Sequence, residues 1–172
     1  MVLETLKKAS DWTNKVATVI MLIYIIAVTV LAFVGVVYRA FGNALSWNEE
    51  LMRWILVGIA YIGGSVALKE QSHIGVVYFV SKMPKSWKKT AIIIGYAAII
   101  LFLLIVVIYG WQAALRARRQ LGAIVRISTM YTKINIPIGA AFMLVHMIYF
   151  SVGLLMGKGD PQEYMVSGGD TA

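Results

Sequence analysis

Hydrophobic residues in this chain fall into long blocks separated by short polar intervals. The first block runs from Val16 to Tyr38 without a charged residue. A helix rising about 1.5 Å per residue needs about 20 such residues to cross a hydrocarbon core about 30 Å thick, so this block predicts a transmembrane helix. A second span is expected over 47–68: Trp47, Glu49, Glu50 and Arg53 sit near its start, and an apolar run from Trp54 to Leu68 follows. The third block, Thr90 to Leu115, carries no charge, and the fourth, Ile134 to Gly157, carries only His146. The pattern therefore predicts an all-α integral membrane protein with four transmembrane helices, over about 16–38, 47–68, 90–115 and 134–157, forming one membrane domain.

The intervals between blocks are patterned too. In residues 1–15, Val2, Leu3, Leu6, Ala9 and Trp12 recur at helical spacing among Lys7, Lys8 and Asp11, which predicts a short amphipathic helix lying on the membrane surface. The block after it is too long for the apolar core of a signal peptide, so it is expected to span and stay. Residues 72–84 contain Ile74, Val76, Val77, Tyr78, Phe79 and Val80, too short a run to cross. An interfacial arm is expected there, ended by Met83 and Pro84 and held in the headgroups by Lys82, Lys85, Lys88 and Lys89. The tail, 158–172, is polar and glycine-bearing and reads as disordered.

Composition strengthens the membrane reading. Of 172 residues, 60% are hydrophobic and 14% charged, against about 25% charged in soluble domains, which excludes an ordinary soluble protein. The formal charge of +8 comes from sixteen Lys and Arg against eight Asp and Glu. Basic residues gather at the ends of membrane spans, so this balance needs no nucleic-acid partner; membrane lipids account for it. The chain has no cysteine, which removes disulfides, thiolate catalysis and cysteine-ligated metals. The Lys and Arg balance across loops weakly favours both termini in the cytoplasm. That puts Arg116, Arg118 and Arg119 on the outer side, against the usual trend, either as a docking surface for an acidic partner or as snorkelling side chains.

Candidate chemistry inside the spans is sparse. The first and third spans hold no ionisable residue, the second holds charges only in its first turns, and the fourth holds His146 alone. The other histidine, His73, falls near the interface, a poor position for paired haem ligation. No nucleophile–histidine–acid set, phosphate loop or intramembrane carboxylate pair is present, so no enzyme activity, metal or cofactor is expected.

Two features favour association instead. Ala60 with Gly64 and Gly63 with Ala67 are small pairs four apart in the second span, and Gly153 with Gly157 in the fourth; such faces allow close helix packing, internal or with a partner. At the start of the second span, Ser46 and Glu49 have capping-box spacing, and Arg53 lies within helical reach of Glu49 and Glu50. That cluster either braces the helix end or orients a partner.

These residues resemble a known family, the small membrane subunit (DctQ-type, or Q subunit) of tripartite ATP-independent periplasmic (TRAP) transporters. The resemblance rests on Val37, Tyr38, Arg39 and Phe41 closing the first span; Ser46, Trp47, Glu49, Glu50 and Arg53; Gly63, Gly64, Ala67 and Leu68; Ser72, His73 and Ile74; and Pro137 entering the fourth span. It covers roughly residues 16–157. It implies a four-helix protein of a bacterial inner membrane with both termini cytoplasmic, serving as scaffold for a large elevator-type transport subunit. Sodium coupling would belong to that subunit, and a periplasmic substrate-binding protein would deliver an organic anion. The separate short chain resembles the small subunit of a sialic acid system. Trp47, Glu49, Glu50, Arg53, Gly63, Gly64 and His73 become candidates for the interface with the large subunit, and Arg116, Arg118 and Arg119 for docking the binding protein. A small self-sufficient homo-oligomeric transporter, or an anchor or assembly subunit of another complex, stands as the alternative.

Overall fold

A computed structural model of the chain describes residues 2–70 and 85–156. The expected interfacial arm over 72–84, His73 within it, and the tail over 158–172 lie outside the described residues. Within them are α1 (Val2–Ala40), α2 (Ser46–Lys69), α3 (Lys85–Arg116), a 3-10 turn at Ala117–Arg119, α4 (Met130–Lys133) and α5 (Asn135–Leu155). The helices α1, α2, α3 and α5 supply the four segments long and apolar enough to cross a membrane.

The leader is not a separate surface helix. No glycine or proline interrupts the chain between Val2 and Val34, and α1 runs unbroken for 39 residues, about 58 Å at the usual rise. Within it Ser10 and Thr13 are buried while Trp12 is 69% exposed. Ser10 turns inward because Lys69 of α2 and His146 of α5 meet it there. The third helix likewise starts earlier than its apolar run, at Lys85, and the fourth is preceded by the single turn of α4. Pro137 occupies the first turn of α5, where a missing amide costs nothing.

Packing is centred on α5. It touches α1, α2 and α3, and α1 also packs along α2. One apolar cluster joins Leu68, Leu103, Ala140, Met147 and Phe150 from α2, α3 and α5; a second joins Ala17 with Ile62 and Val66 between α1 and α2. Close approach is set by glycine. A Cβ at Gly139 of α5 would stand 2.6 Å from the carbonyl carbon and oxygen of Tyr61 on α2, so these backbones touch only because the side chain is absent. Gly58 does the same for a ring: a Cβ there would run into Cε2 of Tyr24. The Tyr24 hydroxyl donates to Oδ1 of Asn135 at 2.9 Å, while Nδ2 of Asn135 donates to the carbonyls of Tyr131 and Thr132. This side chain therefore fixes the entry of α5 against α1.

Candidate functional site

Two polar clusters occupy opposite ends of the bundle. The first forms where α2 begins. Glu50, in the second turn, is 6% exposed. Its Oε1 accepts from the Ala123 amide at 2.8 Å, and its Oε2 from the amides of Ile124 at 2.9 Å and Val125 at 2.8 Å. Three successive amides converging on one carboxylate make an anion nest whose bonds are charge-assisted.

The loop can present those amides because it is a short hairpin. Leu121 and Ser128 form an antiparallel bridge, the Gly122 amide donates to the Ile127 carbonyl at 2.9 Å, and the Thr129 amide to the Gln120 carbonyl at 2.8 Å. The Ser128 hydroxyl ties the hairpin to the 3-10 turn through the Arg118 carbonyl at 2.9 Å. Gly122 is required: a Cβ would stand 2.6 Å from Glu50 Oε1 and 2.7 Å from the Trp54 ring. Arg126 adopts φ 55, a left-handed conformation that few non-glycine residues take. The hairpin's outward side carries Arg118, Arg119 and Arg126 beside Leu121, Ile124 and Ile127, all exposed.

The other residues marked from sequence are distributed around this anchor. The capping box does not form: Leu45 is the N-cap of α2, without a side-chain cap, and Glu49 instead pairs with Arg39 at 2.7 Å, closing the α1–α2 turn. Arg53 does not bind Glu50 directly; it is exposed and acts on that carboxylate only through its charge. The amides of a loop more than 70 residues away in sequence win the carboxylate, because they are already aligned. Trp47 is 41% exposed. Gly63 faces Met21 of α1 and Gly64 faces Met143 of α5, so both glycines pack within the bundle. Arg116 stands exposed in the last turn of α3, beside Arg118 and Arg119 of the following turn.

Asn48 carries no local signal of its role. It is 1% exposed, and its Nδ2 donates to the Leu31 carbonyl at 2.8 Å. Gly35 on α1 makes room, since a Cβ there would lie 2.5 Å from that nitrogen.

The second cluster, at the other end, joins three helices. Lys69, which ends α2, pairs with Asp11 of α1 at 2.8 Å and donates to the Ser10 hydroxyl at 2.8 Å. Its ammonium also lies 4.8 Å from the ring centre of Tyr149 on α5. Ser10 Oγ in turn stands 2.8 Å from Nδ1 of His146, and both residues are fully buried. The cluster's members come from residues 10–11, 69 and 146–149, a convergence that no local spacing along the sequence reveals. Among the described residues, no group of three or more His, Cys, Asp or Glu could hold a metal ion.

The sequence pattern of the family described as tripartite ATP-independent periplasmic transporters, DctQ component, matches residues 28–157. The chain belongs to this family. It is 25% identical over 114 residues to the sialic acid TRAP transporter small permease protein of Vibrio cholerae, covering 64% of this chain and 66% of that protein. It is 26% identical over 80 residues to a Haemophilus influenzae protein provisionally described as a TRAP transporter small permease protein, covering 46% of this chain and 50% of the relative. The matches thus span about two thirds and half of these relatives. As a DctQ component the protein is a transporter permease subunit, not an enzyme. The family's segment takes in Glu50, the hairpin, Lys69 and His146, and begins beyond Ser10 and Asp11.

Proposed function

We propose that this DctQ component is the small permease subunit of a sodium-driven transporter for organic anions, with sialic acid as the leading candidate. In this reading it lies in a bacterial inner membrane with both termini cytoplasmic. It holds the static part of a large elevator-type transport subunit, which carries the sodium and substrate sites, and it helps seat a periplasmic substrate-binding protein.

The observation that carries the scaffold reading is the distribution of apolar surface. The most apolar window of α1 has no buried residue and that of α3 has 11%, against 28% and 39% in the spans built on α2 and α5. On α1, Val19, Ile23, Ile26, Val30, Phe33 and Val36 are each more than half exposed; on α3, Ile94, Leu101, Phe102 and Ile108 are too. In a membrane such faces meet lipid at no cost, and they leave α1 and α3 free to pack against a larger membrane subunit. Trp47, Glu49 and Arg53 at the exposed start of α2 are interface candidates for the large subunit, and Arg116, Arg118 and Arg119 for the binding protein. The Vibrio cholerae relative supports the choice of sialic acid.

The test is to purify the tagged chain from its native membranes in mild detergent and identify bound proteins by mass spectrometry. A large polytopic carrier at about one to one is expected. Recovery of the chain alone, as a homo-oligomer, overturns the scaffold reading in favour of a self-sufficient transporter.

A further inference from the structure

The side chains that join the helices also fix their register, and the helices in that register mark different membrane boundaries. Ser10 of α1, Lys69 of α2 and His146 of α5 stand at one level, because they share the bonds of one cluster. On α3 that level is marked by Leu103, which packs with Leu68 and Met147. Beyond it α5 runs on to Leu154, buried against Ile92 of α3, about 12 Å further along the bundle at the usual rise. No charge falls on α3 over that stretch, where Ile94 is 64% and Phe102 62% exposed.

Along α1 the same levels carry charge. Lys8, Trp12 and Lys15 are exposed, and spacings of four and three residues put them on one helix face. Val19, Ile23 and Ile26 continue that face, each more than half exposed. Lys15 lies about 7 Å from Ser10 towards the hairpin end, so it stands about 20 Å along the bundle from the Ile92–Leu154 contact. That is about two thirds of a hydrocarbon core. A membrane surface perpendicular to the helices therefore either sinks Lys8 and Lys15 into hydrocarbon or leaves Ile94 in water.

The opposite end shows the same offset. The loop after α3 is anchored to Glu50, close to Asn48, which bonds Leu31 of α1. Past Leu31, α1 stays apolar for about two more turns, with Phe33 71% and Val36 68% exposed.

We propose that the headgroup layer crosses the bundle obliquely, and that Lys8, Trp12 and Lys15 bind the phosphate of an anionic phospholipid in the leaflet nearest Lys69. The chemistry of the stripe selects this occupant. Among the described residues neither Lys8 nor Lys15 makes an ion pair, and of the segment's acidic residues, Glu4 and Asp11, the second is held by Lys69. Lysine stems lie along apolar surface while their ammoniums reach for phosphate, and an indole settles at the same boundary. The rungs from Val19 to Ile26 then lie along the acyl chains. A protein covering this face has to carry carboxylates into the membrane to meet the two ammoniums, whereas anionic lipid supplies its charge in place. Phospholipid phosphates line both leaflets, so the site does not depend on which end of the bundle faces the cytoplasm. An oblique surface also accounts for the Lys69–Asp11 pair at the level of Leu103. Asp11, 45% exposed, is then reached by water from the α1 side, and a charge deep in hydrocarbon is avoided.

The chain has no cysteine, so single spin labels can be placed through Trp12→Cys, Ile94→Cys and Phe102→Cys in the full chain, in nanodiscs with whatever large subunit it retains. Collision with oxygen reports hydrocarbon, and collision with a water-soluble nickel chelate reports headgroups and water. The label at position 12 is expected to favour nickel, and those at 94 and 102 oxygen. Oxygen alone at position 12 overturns the proposal. So does nickel at 94, which restores a perpendicular surface, and so does shielding of position 12 from both reagents, which gives the stripe to a protein partner. Native mass spectrometry then tests the phosphate site, after equilibration with equal phosphatidylglycerol and phosphatidylethanolamine. The preference for retained phosphatidylglycerol is expected to fall about tenfold when Lys8→Gln and Lys15→Gln are combined. It should be unchanged by Lys133→Gln at the other end, whose ammonium bonds Gln120. No loss in the double variant, or an equal loss in Lys133→Gln, overturns the site.

Discussion

The crossing of α2 and α5 allows a sharp test, because it depends on one missing side chain. Alanine at position 139 would place Cβ 2.6 Å from the Tyr61 carbonyl carbon and oxygen and 2.8 Å from its Cβ. These are backbone-fixed atoms that cannot swing away. Reaching ordinary contact near 3.4 Å requires the helices to separate by about 0.8 Å, and a gap of that size forfeits a quarter to a half of each dispersion contact across the crossing. Overpacking of this kind costs about 1–3 kcal/mol. Alanine also returns up to about 1 kcal/mol of helix propensity, measured in water. Gly95 on α3 isolates that second effect, since a Cβ there meets nothing within 4 Å.

Gly139→Ala should therefore be less stable than Gly95→Ala by about 1–3 kcal/mol, the propensity gain being common to both. Titrating a denaturing detergent into micelles of a mild one, with unfolding followed by tryptophan fluorescence, gives the midpoints. Gly64→Ala is an intermediate case: its Cβ would lie 2.8 Å from Met143 Cε, the movable end of a flexible side chain, and its loss should be small. A midpoint for Gly139→Ala equal to or above that of Gly95→Ala would refute the contact between these backbones as the fold has it.

Glu50→Gln should release the hairpin before it affects the spans. Bonds to a charged group are worth about 1.5–3 kcal/mol each, so amide exchange at Ala123, Ile124 and Val125 should rise by at least tenfold while α2 is unchanged; uniform acceleration would mean that the whole bundle loosens. Tyr24→Phe removes one interhelical bond to Asn135, and about 0.6 kcal/mol is expected from such bonds in membranes, read as a small midpoint shift. Arg39→Ala should change stability by less than about 1 kcal/mol, because both partners of its ion pair are exposed; a larger loss would show that the turn depends on it. Lys69→Met, by contrast, leaves Asp11 without its partner beside the buried Ser10–His146 pair, and should increase proteolytic access within residues 2–15 while the α2–α5 crossing holds.

Block lengths made the spans legible because a membrane imposes one length scale on every helix, and Thr90 to Leu115 needs no tertiary information to be read as a crossing. Boundaries were less legible. Nothing in Lys7, Lys8 and Asp11 reveals that the leader continues as the same helix as Val16 onward, since Ser10 and Asp11 find their partners on other helices. Glu50 was marked as functional for the wrong partner: helical spacing offered Arg53, whereas the winning donors are three backbone amides, which carry no residue-type signature. Helical spacing singles out Ala60 with Gly64, Gly63 with Ala67 and Gly153 with Gly157, whereas the close backbone crossing is Gly139 against Tyr61; a single glycine is recognisable as a contact only once the opposing backbone is known. Asn48 opposite Gly35 escaped for the same reason.

The two polar clusters explain how a small bundle with so much outward apolar surface keeps a defined shape. Hydrophobic burial cannot select one arrangement of helices in lipid, because a lipid tail is as good a neighbour for leucine as another leucine. Polar groups can, since each must find its partner or remain unsatisfied in a medium without water. At one end Glu50 fixes the hairpin to α2 and Asn48 fixes α2 to α1; at the other, Lys69 draws Asp11 and Ser10 of α1 towards His146 and Tyr149 of α5. Each cluster bonds helices that are distant in sequence, and both stand near the ends of spans, where charge is least costly. The middle of the bundle is left to glycine contacts and aliphatic packing. The apolar faces of α1 and α3 are then free of any structural duty within the chain, which is the condition a scaffold must meet if those faces are to bind another protein without changing its own fold.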